Sequence, residues 1–344
     1  KDILWDAVHI RCDGRFNAGA HVSGGIDSGI VSALARREYD HQKTFYGFSW
    51  SPGDFSAGDA ENDERELVRS SCDKAGILPV LSDMSPDGFR NVISSFSDNY
   101  DLIFEYNTVK QAAAAKTNLI FSGWGGDEFI STGGRAVDQD LLRLLKLRTF
   151  FSRNPLRQAR RFIRTQLNFV IFPALGILDS GTARQFRNDA RYILEPFRKS
   201  DRKAIRNFFF HTSRRKLHLQ MLLFYHLQSR CESWMINGYR QGVEYRYPLL
   251  DRRIVEYMLK VPSILLCRTG HFRPLLRELG EGIMPEEVRL NRSKTDPVSW
   301  TYLRELFKAS ARSLMEEIDE WKSNKDLFFV DFDLLDEDIR KYRG

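Results

Sequence analysis

Six consecutive residues, Ser23-Gly24-Gly25-Ile26-Asp27-Ser28, bring together the groups that phosphate chemistry requires. Adjacent glycines let the backbone approach a ligand closely. A helix beginning just beyond them supplies amide N–H groups and the positive end of its dipole. Ser23 and Ser28 add hydroxyl donors, and Asp27 is a carboxylate able to hold a divalent metal beside phosphates. The spacing is neither GxxxxGK[ST] nor GxGxxG, which excludes the two common nucleotide loops. A second turn, Ser122-Gly123-Trp124-Gly125-Gly126-Asp127-Glu128-Phe129, is acidic. Each turn follows a short apolar run, Ala18-Gly19-Ala20-His21-Val22 in one case and Asn118-Leu119-Ile120-Phe121 in the other. Both therefore read as the exits of buried strands. A phosphate-binding turn and an acidic turn about 100 residues apart fit two strand ends of one parallel sheet, where such folds bind ligands.

The SGGIDS loop resembles the pyrophosphatase loop (PP-loop) of ATP-pyrophosphatases, which split ATP into AMP and pyrophosphate while activating a carboxylate or carbonyl. SGWGGDEF resembles the SGxGxDE turn that asparagine synthetases and their relatives place beside it. The resemblance runs from about Asp6 to Pro297 and is to the synthetase half of asparagine synthetase-like enzymes. It implies that Ser23, Gly24, Gly25, Asp27, Ser28, Ser122 and Gly123 bind ATP and the leaving pyrophosphate, and that Asp27 and Asp127 hold Mg²⁺. Those enzymes carry an amino-terminal glutaminase-type domain that this sequence lacks. The first residue is Lys1 rather than methionine, which suggests a piece of a longer chain.

Three further segments carry the resemblance. Gly242-Val243-Glu244-Tyr245-Arg246-Tyr247-Pro248-Leu249-Leu250-Asp251 is similar to a GxExRxPxLD segment. It reads as a positioning element, with Asp251 capping the following helix and Glu244 pairing with Arg246. Met284-Pro285-Glu286-Glu287-Val288 followed by Arg292-Ser293-Lys294 resembles LPEEV…RxK, whose lysine contacts the pyrophosphate and the developing oxyanion. That implies Lys294 as an electrostatic catalyst, a solvent lysine being the plainer alternative. Glu232 lies 19 residues before Asp251 (251 − 232 = 19). β-Lactam synthetases place a glutamate there, paired with a tyrosine, to deprotonate the attacking amine; asparagine synthetases do not. The tyrosine would fall where this chain has Trp124, and indole accepts no proton. Glu232 then acts alone, or with a hydroxyl such as Tyr239, or the amine needs less help. The plainer alternative is a surface or structural glutamate beside Arg230.

Within the family the chain most resembles the lasso peptide cyclases, or macrolactam synthetases, on four features: the GWGGDEF turn, Glu232, the RYPLLD wording and a basic helical insertion. The implied reaction adenylates an Asp or Glu side chain of a precursor peptide and closes an isopeptide ring with that peptide's own amino terminus. Glu232 and Lys294 would be the catalytic residues, ATP and Mg²⁺ the cofactors, and a leader-peptide protease or recognition protein a partner. Asparagine synthesis from aspartate and ammonia is the first rival. A tRNA-modifying PP-loop enzyme is the second, disfavoured by the absence of suitably spaced cysteines, so nucleic acid is not the expected partner.

Around these motifs, strands and helices alternate from Ala18 to about residue 135, the pattern of a parallel sheet flanked by helices. The expected strands are 18–22, 43–50, 78–81 and 118–121, and the expected helices 28–38, 61–75, 86–96 and 107–115. The fold class is α/β, of the adenine nucleotide α-hydrolase-like kind that the resemblance implies. An ATP-binding domain over 1–135 precedes a largely helical region over 136–344, in which the strands stop. Helices are expected there at 138–164, 182–197, 203–235, 251–260 and 299–318, with residues 331–344 fraying. The chain of 344 residues is 42% hydrophobic and 28% charged, with net charge +6, ordinary values for a soluble protein. No apolar run is long enough to span a bilayer, and no secretory signal opens the sequence. Four scattered cysteines give neither a zinc site nor a disulfide framework, so a reduced, cytoplasmic setting is expected. Leu141 to Leu178 carries eight basic residues and no acidic one, either a solvated helix face or a docking surface.

Overall fold

The computed structural model describes residues 1–56, 63–94, 103–131, 136–145, 155–177, 191–198, 211–223, 226–267, 273–291 and 297–341. The chain divides into two compact units. Lys1–Val137 with Met221–Leu303 form the first, and Asp138–Gln220 with Arg304–Gly344 the second. Residues 221–303 thus fall in the same unit as the amino-terminal segment.

The first unit opens with helix α1 (Asp2–His9) and is built on β1 (Ala18–His21), α2 (Ile26–Glu38), β2 (Tyr46–Phe48), α3 (Glu64–Ala75), β3 (Leu78–Val80), α4 (Pro86–Ser94), α5 (Ile103–Ala114) and β4 (Leu119–Phe121). All strand pairings are parallel, in the order β3-β2-β1-β4-β5, with β5 at Glu244–Arg246. The fifth strand corrects the expectation that strands stop after the first domain. Its three residues are too few for a period-2 signal, and Gly242 and Pro248 on either side read as breakers. It pairs Tyr245 with Ile120, and the Ser122 amide continues the ladder by donating to the Arg246 carbonyl at 2.9 Å.

Apolar sequence makes β1 and β4 the centre of the sheet, since strands covered on both faces lose their alternation. Leu119, Ile120 and Phe121 are fully buried, and every residue of α2 from Ile26 to Arg36 is buried. A helix with no solvated face belongs in a core. Its one buried cation, Arg36, is satisfied by the carbonyls of Gly76, Tyr39, Asp40 and His41 at 2.9–3.3 Å. Asp63 caps α3 by accepting the Arg65 amide.

After β4 the chain forms a π-helical turn, Gly126–Ser131, and then α6 (Val137–Arg143). The basic segment is described in part, as α7 (Pro155–Gln166) and the turns to Ile177; residues 146–154 and 178 lie outside the described set. Of the expected helix 203–235, the described parts are helical, as α8 (Arg214–Leu223) and α9 (His226–Arg240), and 203–210 and 224–225 lie outside the described residues. Of the expected helix 182–197, residues 182–190 are likewise outside. Residues 191–198 are not α-helical, because Ile193 forms an antiparallel bridge with Val330.

Beyond β5 come α10 (Arg252–Lys260), α11 (Pro274–Leu279), α12 (Glu286–Leu290) and α13 (Pro297–Ser323). In the second unit, α14 (Phe332–Arg340) corrects the expectation of a frayed terminus. Asp331 caps it by accepting the Leu334 amide, and its Ile339 joins Ala311, Leu314 and Ile318 of α13 in a small core. Charge alone hid that apolar stripe in the sequence. Among the described residues no helix is long and apolar enough to cross a membrane.

Candidate functional site

β1 lies between β2 and β4, so the chain leaves β1 on one side of the sheet and returns on the other. That switch point puts the two turns side by side at the carboxyl ends of β1 and β4. The first turn is held by its own hydroxyls. The Ser23 amide donates to Ser28 Oγ at 3.1 Å, the two serine oxygens lie 2.8 Å apart, and the Gly25 amide donates to Ser23 Oγ at 3.1 Å. Ser28 Oγ also donates to the Gly25 carbonyl at 3.3 Å. Gly25 is the N-cap of α2 and no side chain caps the helix. The amides that every helix leaves over in its first turn are thus not consumed by a capping side chain.

Glycine is required where the two turns touch. A Cβ at Gly126 would collide with the Asp27 carboxylate, and one at Gly123 would lie 2.5 Å from the Ser28 amide nitrogen. Gly123 and Gly126 thereby let the acidic turn press directly on the first turn of α2. In the π-helical turn, Glu128 is buried and accepts the Gly125 amide at 3.1 Å. Burial holds its carboxyl above the ordinary value, and the neighbouring Asp127 charge adds to that.

The structure brings Asp27 and Asp127 to one cation. The Arg273 guanidinium donates through one terminal nitrogen to Asp27 Oδ2 and through the other to Asp127 Oδ1. The Arg273 side chain is 9% exposed. Its residue is the N-cap of α11, in the left-handed region at φ 60° and ψ 47°, with Pro274 at the first helical position. A non-glycine residue there costs on the order of 1–2 kcal/mol. α11 is anchored independently, Leu276 being fully buried and Arg277 donating to the carbonyls of Arg289 and Asn291. Nothing in the sequence signals Arg273, which meets carboxylates 246 and 146 positions away.

Two carboxylates sharing a guanidinium form a site for positive charge, and that donor set fits Mg²⁺. Magnesium is commonly held by one or two carboxylates plus substrate phosphates. Among the described residues no cluster of three or more His, Cys, Asp or Glu could hold a metal by itself. Phosphate oxygens would therefore complete the coordination.

Behind the acidic turn lies a buried polar network that the sequence does not reveal. Glu105 of α5 has no exposed surface. Its Oε1 accepts from Tyr245 and lies 3.0 Å from His21 Nε2, and its Oε2 accepts the Trp50 indole N–H at 2.8 Å. His21 Nδ1 lies 3.3 Å from Ser122 Oγ, which accepts the Trp124 amide at 3.2 Å. With the proton assigned to Nε2 the chain of donors is consistent from Glu105 to the acidic turn. Burial, and then the Glu105 charge, push the Tyr245 phenol well up. His21 is thus a structural link beneath the turn.

Trp124 contacts Trp234 of α9 at 6.0 Å between centroids, and the Arg230 guanidinium lies 4.3 Å over its ring. Arg230 and Trp234, one turn apart on α9, both contact the Trp124 ring. Glu232 is on the exposed side of the same helix, and Tyr239 is 85% exposed. Lys294 lies outside the described residues. The Glu244–Arg246 pair forms at 2.7 Å, and Asp251 caps α10 while bonding Arg11 at 2.7 Å. Burial pushes the thiols of Cys12 and Cys72 up to about 12 and that of Cys231 to about 11, leaving each protonated near neutrality.

The sequence profile of the asparagine synthase family matches residues 1–344. Over 322 residues the chain is 24% identical to asparagine synthetase (glutamine-hydrolyzing) 1 of Bacillus subtilis (strain 168). That alignment covers 86% of this chain and 48% of the relative, so the chain spans about half the length of the curated protein it matches.

Proposed function

This chain belongs to the asparagine synthase family, a family of ATP-dependent, AMP-forming amide ligases, and from that premise we propose that it is a macrolactam-forming peptide cyclase. The carrying observation is the joining of Asp27 and Asp127, at the ends of β1 and β4, around one positive charge. Such a pair suits a triphosphate with its Mg²⁺, which supplies charge neutralisation when bound. Ser23, Gly24, Gly25 and Ser28, with Ser122 and Gly123 beside them, line the place for the phosphates.

In the proposed first step an Asp or Glu carboxylate oxygen of the precursor peptide attacks the α-phosphorus. The bond from that phosphorus to the bridging oxygen breaks, and pyrophosphate leaves from an acyl-adenylate. The peptide's amino nitrogen then attacks the acyl carbon, AMP departs with the former carboxylate oxygen, and the amine gives up a proton. Holding both ends of one peptide makes this step effectively intramolecular, which can be worth roughly 7–11 kcal/mol. Glu232, exposed on α9, is the proposed base. Lys294 is the proposed oxyanion stabiliser. Trp124 of the acidic turn, with Arg230 over its ring, is the proposed contact for a peptide substrate, which ammonia would not need. A precursor peptide and a leader-processing partner are the proposed companions.

The test is ATP–pyrophosphate exchange with Mg²⁺, in one arm with free aspartate and in another with glycine-started peptides carrying Asp or Glu at about the eighth or ninth position. Peptide-dependent exchange with a product one water lighter is expected. Exchange driven by aspartate alone would replace this reading with asparagine synthesis. Within the peptide arm, Glu232→Gln should leave exchange unchanged and slow ring closure about 10²–10⁴-fold, the usual contribution of a general base. Undiminished closure would remove Glu232 from the mechanism.

A further inference from the structure

Arg273 has no part in the two steps above, yet it is buried, held in a costly backbone conformation, and bonded to both carboxylates of the site. Strain of that kind persists only where the surrounding structure over-determines it. Here the fixed α11 holds the backbone, and two ion pairs hold the side chain. We propose that Arg273 couples metal binding to nucleotide binding: its guanidinium and a divalent cation compete for the same carboxylate oxygens, Asp27 Oδ2 and Asp127 Oδ1, and the phosphates of ATP accept the guanidinium when it is displaced. The inference rests on the nucleotide-site reading above.

The physical reason is the cost of a buried charge without a partner. A metal ion arriving alone can bind both carboxylates only by evicting a guanidinium whose side chain is 9% exposed. A buried ion stripped of its partner is strongly unfavourable, so metal alone binds weakly. When ATP arrives with the metal, its phosphate oxygens offer Arg273 new acceptors in place of the two carboxylates. Guanidinium matches phosphate in two parallel hydrogen bonds as well as it matches carboxylate. The arginine is then a positioning residue, set on the phosphates only once they are present. Metal and nucleotide should therefore bind together better than either binds alone, and by reciprocity each should tighten the other equally.

Arg273→Gly is the informative variant, because glycine adopts the left-handed conformation freely while deleting the cation. The probe is Mn²⁺, titrated by electron paramagnetic resonance with and without α,β-methylene-ATP, which cannot form AMP. Arg273→Gly should bind Mn²⁺ alone about tenfold more tightly than wild type, inside the usual range for coupled sites. The gain in Mn²⁺ affinity caused by the analogue should shrink by a similar factor. Arg273→Lys, which keeps the charge, should stay near wild type in metal-alone affinity. Mg²⁺ without nucleotide should raise the thermal midpoint of Arg273→Gly more than that of wild type. Should the glycine variant stay unfolded in Mg²⁺, Arg273→Gln carries the same comparison. Equal Mn²⁺ affinity in wild type and the charge-deleted variant, with both binding the metal–analogue pair, overturns the coupling and leaves the nucleotide site standing. No binding of the pair by wild type overturns both.

Discussion

At the scale of single residues, the site depends on carboxylates that the fold supplies with cations or donors. Glu105 is the clearest case, a fully buried carboxylate serving Tyr245, Trp50 and His21 at once. Tyr245 and Tyr247 stack at 6.2 Å with an 11° interplanar angle, but their hydroxyls differ: that of Tyr245 donates to Glu105, and that of Tyr247 is buried with no hydrogen-bond partner among the described residues. Tyr245→Phe removes a bond to a charged acceptor and should cost about 1.5–3 kcal/mol. Tyr247→Phe removes only an unsatisfied hydroxyl and should be neutral or slightly stabilising, within about 0.5 kcal/mol. Urea unfolding of both variants measures the contrast, and equal losses would refute the assigned network. Glu105 and Arg273 were not legible in the sequence for one reason. Their partners lie 55 to 246 positions away, and neither sits in a motif. Asp27, Asp127 and the serines were legible because local spacing carries their signal.

At the scale of elements, the site is a contact between two strand exits, and glycine sets how close they come. Gly126→Ala would drive a methyl group into the Asp27 carboxylate. The turn would have to retreat, separating Asp27 from Asp127, while most of the sheet kept its pairing. The expected result is a folded protein whose affinity for ATP with Mg²⁺ falls at least about tenfold, since misplacement of about 1 Å in such sites is felt at that scale or beyond. Isothermal titration beside circular dichroism tests it; unchanged affinity would mean that the two exits do not cooperate. Four strands of the sheet were legible, since each is an apolar run followed by a turn. β5 was not, because Glu244–Arg246 is a short polar edge recognisable only by its pairing with β4. α14 was missed for the converse reason: its acidic residues outweighed the Phe332–Leu335–Ile339 stripe that packs on α13.

At the scale of the molecule, these local pairings set how stability follows pH, and two groups in the first unit pull in opposite directions. Arg253 chiefly, and Arg11 with it, hold the Asp251 carboxyl well below its ordinary value of 3.8. A depressed group contributes its full stability above 3.8 and loses it as the pH falls from there toward the lowered folded value. Burial, by contrast, holds Glu128 above its ordinary 4.5. A raised acid is at its least costly below 4.5 and weighs against the fold as the pH rises through its folded value. Asp251→Asn keeps a good helix cap but cannot ionise, so it should be less stable than wild type at pH 6 and converge on it below pH 3.8. Glu128→Gln keeps an acceptor for the Gly125 amide and should match wild type near pH 4.5, then gain on it toward neutrality. Thermal unfolding followed by tryptophan fluorescence reads this, because Trp5, Trp50, Trp124, Trp234 and Trp300 all belong to the first unit. Curves for the two variants that run parallel to wild type across pH 3–7 would show that neither carboxyl is shifted by folding. Curves that diverge in opposite directions would tie each shift to its cause, the arginines for Asp251 and burial in the acidic turn for Glu128.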